Sequence, residues 1–237
     1  MKVGKYDVTA HYTMAICGGF LGAYAMITRL NLFGSAQTGN LISVISDLAG
    51  KNFRDMVLRI GGFLIYILAI ILETILEKKT KWNVKYISIG IHFCMSILLS
   101  LFPTDMDPII GLYPIFFMTA FQWCAFKGAK GYVSSTIFST NNLRQTFSAW
   151  TEYYLIDKSN EKEKKEKAVK AKFFGGTIIS FHVGVLLGYL IVPSIGIESI
   201  LLCVPLLIVV LGVLLADDNV IRRYIILRKM SVPSKEH

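Results

Sequence analysis

The sequence predicts an all-α fold: a polytopic membrane helix bundle with two repeated halves, six spanning helices and two polar half-spanning or re-entrant helices. Three observations carry this. Mean hydropathy is +0.54, with only 17% of the 237 residues charged, an apolar excess that a soluble domain of this size does not carry. Six stretches approach the roughly 20 apolar residues needed to cross about 30 Å of hydrocarbon. A short polar motif in the first half of the chain recurs in the second.

The spans are expected at 11–32, 57–77, 85–102, 109–127, 172–192 and 196–216. Lys2 and Lys5 precede the first, as in a signal sequence, but no small-x-small cleavage site follows, so this segment is expected to stay as a transmembrane helix. Two further segments have helical periodicity and are poor lipid-facing spans. Residues 38–50 are too short, with Leu41, Ile45 and Leu48 on one face and Ser43 and Ser46 on the other. Residues 135–156 are long enough, but they carry Ser139, Thr140, Asn141, Asn142, Arg144, Gln145, Thr146, Ser148 and Glu152 opposite a face of Leu143, Phe147, Trp150 and Tyr154.

These polar segments correspond. TGNL at 38–41 matches TNNL at 140–143, an offset of 102, and Gly61–Gly62 matches Gly175–Gly176, an offset of 114. The charged stretch from Asn160 to Lys172 accounts for the difference. The whole chain, 1–237, then reads as one membrane domain with halves at 11–102 and 109–216, a charged cytoplasmic insert at 157–172 and a basic cytoplasmic tail at 217–237. The insert is a solvated helix extension or loop, with Glu161 and Lys165, and Glu163 and Lys167, at favourable helical spacing.

The net charge of +9 is a topology signal. The basic residues lie in short runs between apolar segments, without the aromatic interleaving of a nucleic-acid face, so no nucleic acid is expected as a partner. With six crossings, Lys and Arg divide 21 against 4 between the two sides; with eight crossings, the alternative, they divide 17 against 7 and Arg144 lies inside a helix. Both courses put the termini in the cytoplasm, and six gives the cleaner positive-inside bias. Three crossings per half make the halves inverted, so that the two polar elements enter from opposite sides and meet near the midplane.

Irregular backbone at membrane depth is tolerated only where protein or a water-filled cavity satisfies it. Gly39 permits close approach, and Thr38 and Asn40 can cap the following helix while offering oxygens or an amide to a solute. The candidate solute-binding residues are therefore Gln37, Thr38, Gly39, Asn40, Thr140, Asn141 and Asn142. The same side chains can instead hold helices together by hydrogen bonds of about 1 kcal/mol each.

The stretch GGFLGAYAMITRLNLFGSAQTGNLISV, starting at Gly18, resembles the N-terminal signature of the YoaK family of bacterial membrane proteins. There an aromatic residue, a polar run and a Thr-Gly-Asn triplet follow the first helix. The matching residues are Phe33, Gln37, Thr38, Gly39 and Asn40, with Gln122 and Thr140 resembling family positions in the second half; Asn141 stands where that family more often has glycine. The resemblance runs from about Thr13 to Ala216. It implies a multi-pass protein of the bacterial cytoplasmic (inner or plasma) membrane with uncharacterised activity.

Other candidates have ordinary alternatives. His92 and His182 lie in spans of opposite halves, where an imidazole can shuttle protons or ligate a metal or haem, but neither has a second ligand at helical spacing. Glu73 sits four residues before Glu77, with Lys78 and Lys79 near enough to pair. Arg29 precedes the first polar loop and either steers anions or snorkels to headgroups. Gly18 with Gly22, and Gly184 with Gly188, form GxxxG faces for packing within the chain or in a homodimer. The four cysteines lie in apolar segments and imply no disulfide. HExxH, GxSxG, Walker and dinucleotide motifs do not occur, so no enzyme activity and no cofactor are expected. The expected partners are the lipid bilayer and a small polar solute bound between the halves. A membrane scaffold that binds lipid or protein through the 160–172 insert is the alternative.

Overall fold

The computed structural model describes residues 7–29, 37–157 and 159–217. The expectations for Lys2, Lys5, Phe33 and Ser35, and for all but the start of the basic tail, fall outside them. Within them the chain is mostly helical, with one small ribbon and short irregular links, as the all-α class requires. The helices are α1 (Asp7–Thr28), α2 (Gln37–Ala49), α3 (Phe53–Lys79), α4 (Val84–Ser100), α5 (Tyr113–Ala125), α6 (Thr140–Leu155), α7 (Glu161–Ile195) and α8 (Cys203–Asp217). A 3-10 turn at Ile110–Leu112 leads into α5, and another at Gly196–Leu202 joins α7 to α8. The antiparallel strands β1 (Gly128–Ala129) and β2 (Tyr132–Val133) pair across a turn in which Lys130 and Gly131 take positive φ.

Helix starts follow local chemistry. Asn52, Asn83 and Asn160 each precede a helix and accept a backbone N–H from its first turn, pairing a donor that has no partner within the helix. Pro114 sits in the first turn of α5, where its missing N–H costs nothing. Gly196 ends α7 at φ 78°, in the left-handed region that glycine enters freely. The charged insert becomes the first turns of α7, and Lys167 on it pairs with Glu152 of α6.

Two helical runs are long and apolar enough to cross a membrane: α3, and the continuous run Glu161–Ala216. Val84–Ser100 and Ile110–Ala125 are shorter apolar helices. Leu64, Leu68, Ile71 and Ile75 line an exposed face of α3. An apolar face of this extent marks a surface meant for lipid or another protein.

The packing partners are exchanged across the middle of the chain. α1 packs on α7 and α8, while α5 packs on α3 and α4; α2 rests on α3, and α6 on α7. Glycines allow the closest approach: a Cβ on Gly19 would overlap the Phe181 carbonyl, and one on Gly184 would overlap the Ile16 carbonyl. Gly188 lies against Ala23 in the same seam, so the GxxxG face of α7 is buried against α1. The two seams also share a tyrosine contact. Tyr12 of α1 donates to the Phe173 carbonyl of α7 at 3.1 Å, and Tyr113 of α5 donates to the Leu58 carbonyl of α3 at 2.8 Å.

Side-chain contacts fix the helix directions. Asp7 pairs with Lys85 at 2.7 Å, Lys85 lies over the Phe126 ring, and Lys127 pairs with Glu77 at 2.5 Å. The start of α1, the end of α3, the start of α4 and the end of α5 therefore share one end of the bundle. At the opposite end Arg54 pairs with Asp107 at 2.6 Å. There burial pushes the Asp107 carboxyl up, but the Ile110 and Ile109 N–H groups and the Arg54 guanidinium outweigh it and hold it below its ordinary value. It follows that α2, which joins the end of α1 to the start of α3, leaves and returns at this second end. α6 joins the end of α5 to the Phe173 level of α7, and it leaves and returns at the first.

Candidate functional site

The element before α6 is where the structure departs most from the sequence reading. Helix was expected from 135, but α6 begins at Thr140 and residues 134–139 run into the bundle as irregular chain with bends at Thr136, Ile137 and Ser139. A Cβ on Gly18, near the middle of α1, would overlap the Thr136 carbonyl. The segment SSTIFS has serine and threonine hydroxyls that compete for backbone groups and a β-branched pair that resists helix. Its Ser134, Ser135, Thr136 and Ile137 are all buried.

Buried non-helical chain needs its polar groups satisfied, and here side chains supply several of the partners. Asn142, on the first turn of α6, donates to the carbonyls of Ser135 at 2.7 Å and Phe138 at 3.0 Å, and accepts from Ser134 Oγ at 2.9 Å. Ser134 in turn contacts His11 Nε2 of α1 at 3.1 Å. From α5, Gln122 Nε2 donates to Thr136 Oγ1 at 2.8 Å and to the Met14 carbonyl of α1 at 2.9 Å. Gln122 Oε1 lies 2.7 Å from His92 Nε2 of α4. His11, His92, Gln122, Thr136 and Asn142 are each at most 1% exposed. One polar network thus joins α1, α4, α5 and α6 through the 134–139 segment.

The predicted site residues divide by depth. Asn40 is buried and donates to Gln37 Oε1 and to the Arg59 carbonyl, both at 3.2 Å. Thr38, Gly39, Thr140 and Asn141 are exposed, Gln37 is half-buried, and nothing lies within 4 Å of a Cβ placed on Gly39. Asn142 belongs to the buried network. α2 is held on α3, where Asp47 pairs with Arg59 at 2.7 Å, and α6 is held on α7. The start of α2 is bound to α3 and the start of α6 to the 134–139 segment, with no hydrogen bond between the two sets among the described residues.

Sequence reasoning singled out Asn142 and gave Gln122 and His92 lesser roles; it missed Ser134, Thr136 and His11. A signal was present: Gln122 is a lone amide in an apolar helix, and Ser88, His92 and Ser96 recur at helical spacing. Of the other candidates, Glu73 is buried with Oε1 unpaired and Lys127 Nζ at 4.0 Å from that atom. Arg29 is 2% exposed and lies against Gly111, and its Nε and Nη2 have no hydrogen-bond partner among the described residues. It therefore does not snorkel. His182 is exposed, with Nδ1 2.9 Å from the Ile178 carbonyl. Among the described residues no three His, Cys, Asp or Glu side chains are grouped to hold a metal ion.

No curated protein and no solved structure matches the chain. A family model described as "Protein of unknown function (DUF1275)" matches residues 10–214, which include every helix of the buried network and both polar elements. The chain belongs to this uncharacterised family, as its YoaK-like signature around Thr38-Gly39-Asn40 led us to expect.

Proposed function

We propose that the chain is a multi-pass membrane protein that carries a small polar solute along a path between two inverted halves. α1, α3 and α4 cross in the first half, and α5, α7 and α8 cross in the second; α2 and α6 are re-entrant. The observation that carries this reading is the 134–139 segment, non-helical and buried over Ser134–Ile137 at the level of the middle of α1, with α6 returning to the end from which the segment came. Backbone of that kind occurs at membrane depth where it is packed in protein or lines a path.

The Asp7–Lys85 pair supports six crossings over eight, because eight would put the starts of α1 and α4 on opposite faces. The exchanged packing of α1 and α5, with matching tyrosine contacts, supports the two halves. Lys85 and Lys127 at the end where α1 starts agree with that end being cytoplasmic. Thr38, Gly39, Thr140 and Asn141, which are exposed, are the residues free to meet solute. Asn40 and Asn142 position them. Alternating access by relative movement of the halves is the mechanism, without enzymatic chemistry.

A second reading, a scaffold whose polar residues only lock the bundle, draws support from the internal hydrogen bonding of Asn40 and Asn142. Cysteine accessibility separates the two. With the native cysteines removed, Thr38→Cys and Thr140→Cys should each react with a water-soluble maleimide, and from opposite sides of the membrane. Protection of both positions from both sides would rule out the solute path.

A further inference from the structure

Two buried histidines have surroundings that call for different numbers of protons. At His11 the Ser134 hydroxyl gives its hydrogen to Asn142 Oδ1, so it accepts from His11 Nε2–H. A neutral ring meets that requirement and leaves Nδ1 without a partner. At His92 both nitrogens face acceptors: the Ser88 carbonyl lies 2.9 Å from Nδ1, and Gln122 Oε1 lies 2.7 Å from Nε2. The amide cannot turn over freely, because its Nε2 also faces the Met14 carbonyl, which only accepts.

A neutral His92 has one N–H, so one acceptor is always left facing another. With the amide as it stands, that contact is at the imidazole. With the amide turned over it moves to Gln122 Oε1 against the Met14 carbonyl. The imidazolium satisfies all the contacts together, but it is a charge buried among apolar helices. The neutral state keeps a repulsive contact and the charged state is poorly solvated, so a proton can change the balance.

The ionisable groups on the surrounding elements are engaged elsewhere. Asp7 of α1 is paired with Lys85; Glu73 and Glu77 of α3 face Lys127. Tyr66 of α3, Cys124 of α5, Glu198 of the 3-10 turn and Cys203 of α8 are the other candidates, and none of them hydrogen-bonds or pairs with His92. A second observation lies on α4 itself. Ser88 and Ser96, one turn on either side of His92, are buried, and among the described residues their hydroxyls have no hydrogen-bond partner. A buried hydroxyl without a protein partner is a place for water wherever there is room for one, and water delivers protons.

We propose that His92 is a proton-binding site on a hydroxyl-lined track along α4, and that its proton selects the amide orientation of Gln122. Through that amide the proton sets how α5 holds Met14 of α1 and Thr136 of the 134–139 segment. Coupling of this proton to solute movement rests on the transport reading above; the binding of the proton does not.

The test is nitrogen-15 NMR of the full chain in lipid nanodiscs, labelled at histidine and at the glutamine side-chain amide, from pH 5 to pH 9. H92Q assigns the His92 ring. Should that variant fail to fold, replacing the other three histidines one at a time assigns it by elimination. The His92 ring is expected to pass between neutral and doubly protonated forms, with the Gln122 amide resonance moving at the same midpoint. Gln122→Glu, which adds a counter-charge, should tighten proton binding at least about tenfold. A His92 ring in one protonation state throughout, in both wild type and Gln122→Glu, overturns the proposal. So does titration at His92 that leaves the Gln122 amide unmoved. If ring and amide titrate together while Thr38→Cys and Thr140→Cys are inaccessible, the transport reading falls and the proton site stands.

Discussion

α2 and α6 start alike in sequence and are held differently. Asn40 makes one hydrogen bond to its neighbour α3 and one to Gln37 of its own helix, on an otherwise open surface. Asn142, its counterpart, holds three groups of the 134–139 segment, which is itself tied to α1 and α5. The same residue type at the same place in the motif is a surface fastening on α2 and the centre of a buried network at α6. A recurring motif therefore does not specify how deeply it is embedded.

Removing each asparagine side chain gives the largest expected effect. Asn142→Ala strands the Ser135 and Phe138 carbonyls in the core and should lower stability by about 2–4 kcal/mol, whereas Asn40→Ala should cost about 1 kcal/mol or less. Thermal unfolding in detergent reads both, and equal losses would remove the distinction between the two elements. The next effect probes what the two helix seams share: Tyr12→Phe and Tyr113→Phe each delete one hydroxyl bond across a seam, so each should cost about 1 kcal/mol. A large inequality would break the correspondence of the seams. The smallest is Gly39→Ala, with no atom in the way of the new methyl, which should stabilise α2 by roughly 0.5–1 kcal/mol. If Gly39 also meets solute, the same substitution slows uptake while the protein becomes harder to melt.

Much of the fold was legible. All six apolar stretches became helices within a few residues of their expected bounds, apart from the early start of α7 at Glu161, where the charged insert continues the helix, and the late start of α8 at Cys203, where 196–202 forms a 3-10 turn instead. The 38–50 segment became α2 almost as written. The main error lies at 135–139, where helical periodicity extends backward through Ser139 although the chain is irregular and bent there. Periodicity counts side chains and does not register that Asn142 and Gln122 offer these residues alternative hydrogen-bond partners. The site was legible in part: Asn142 stood out by its repeat, while Gln122 and His92, 30 residues apart, form a pair only when α4 and α5 pack.

The sequence by itself determined where most helices form, which of them are apolar, which polar motif recurs, and where along the chain positive charge accumulates. These depend on local composition and spacing, which a helix reads within a few turns. The tertiary structure alone decided that α1 seats on α7 and α5 on α3, that Arg29 is buried, and that His92 faces two acceptors. Those outcomes depend on which carbonyl a distant glycine admits and which donor a distant helix presents, quantities that exist only once the helices are packed.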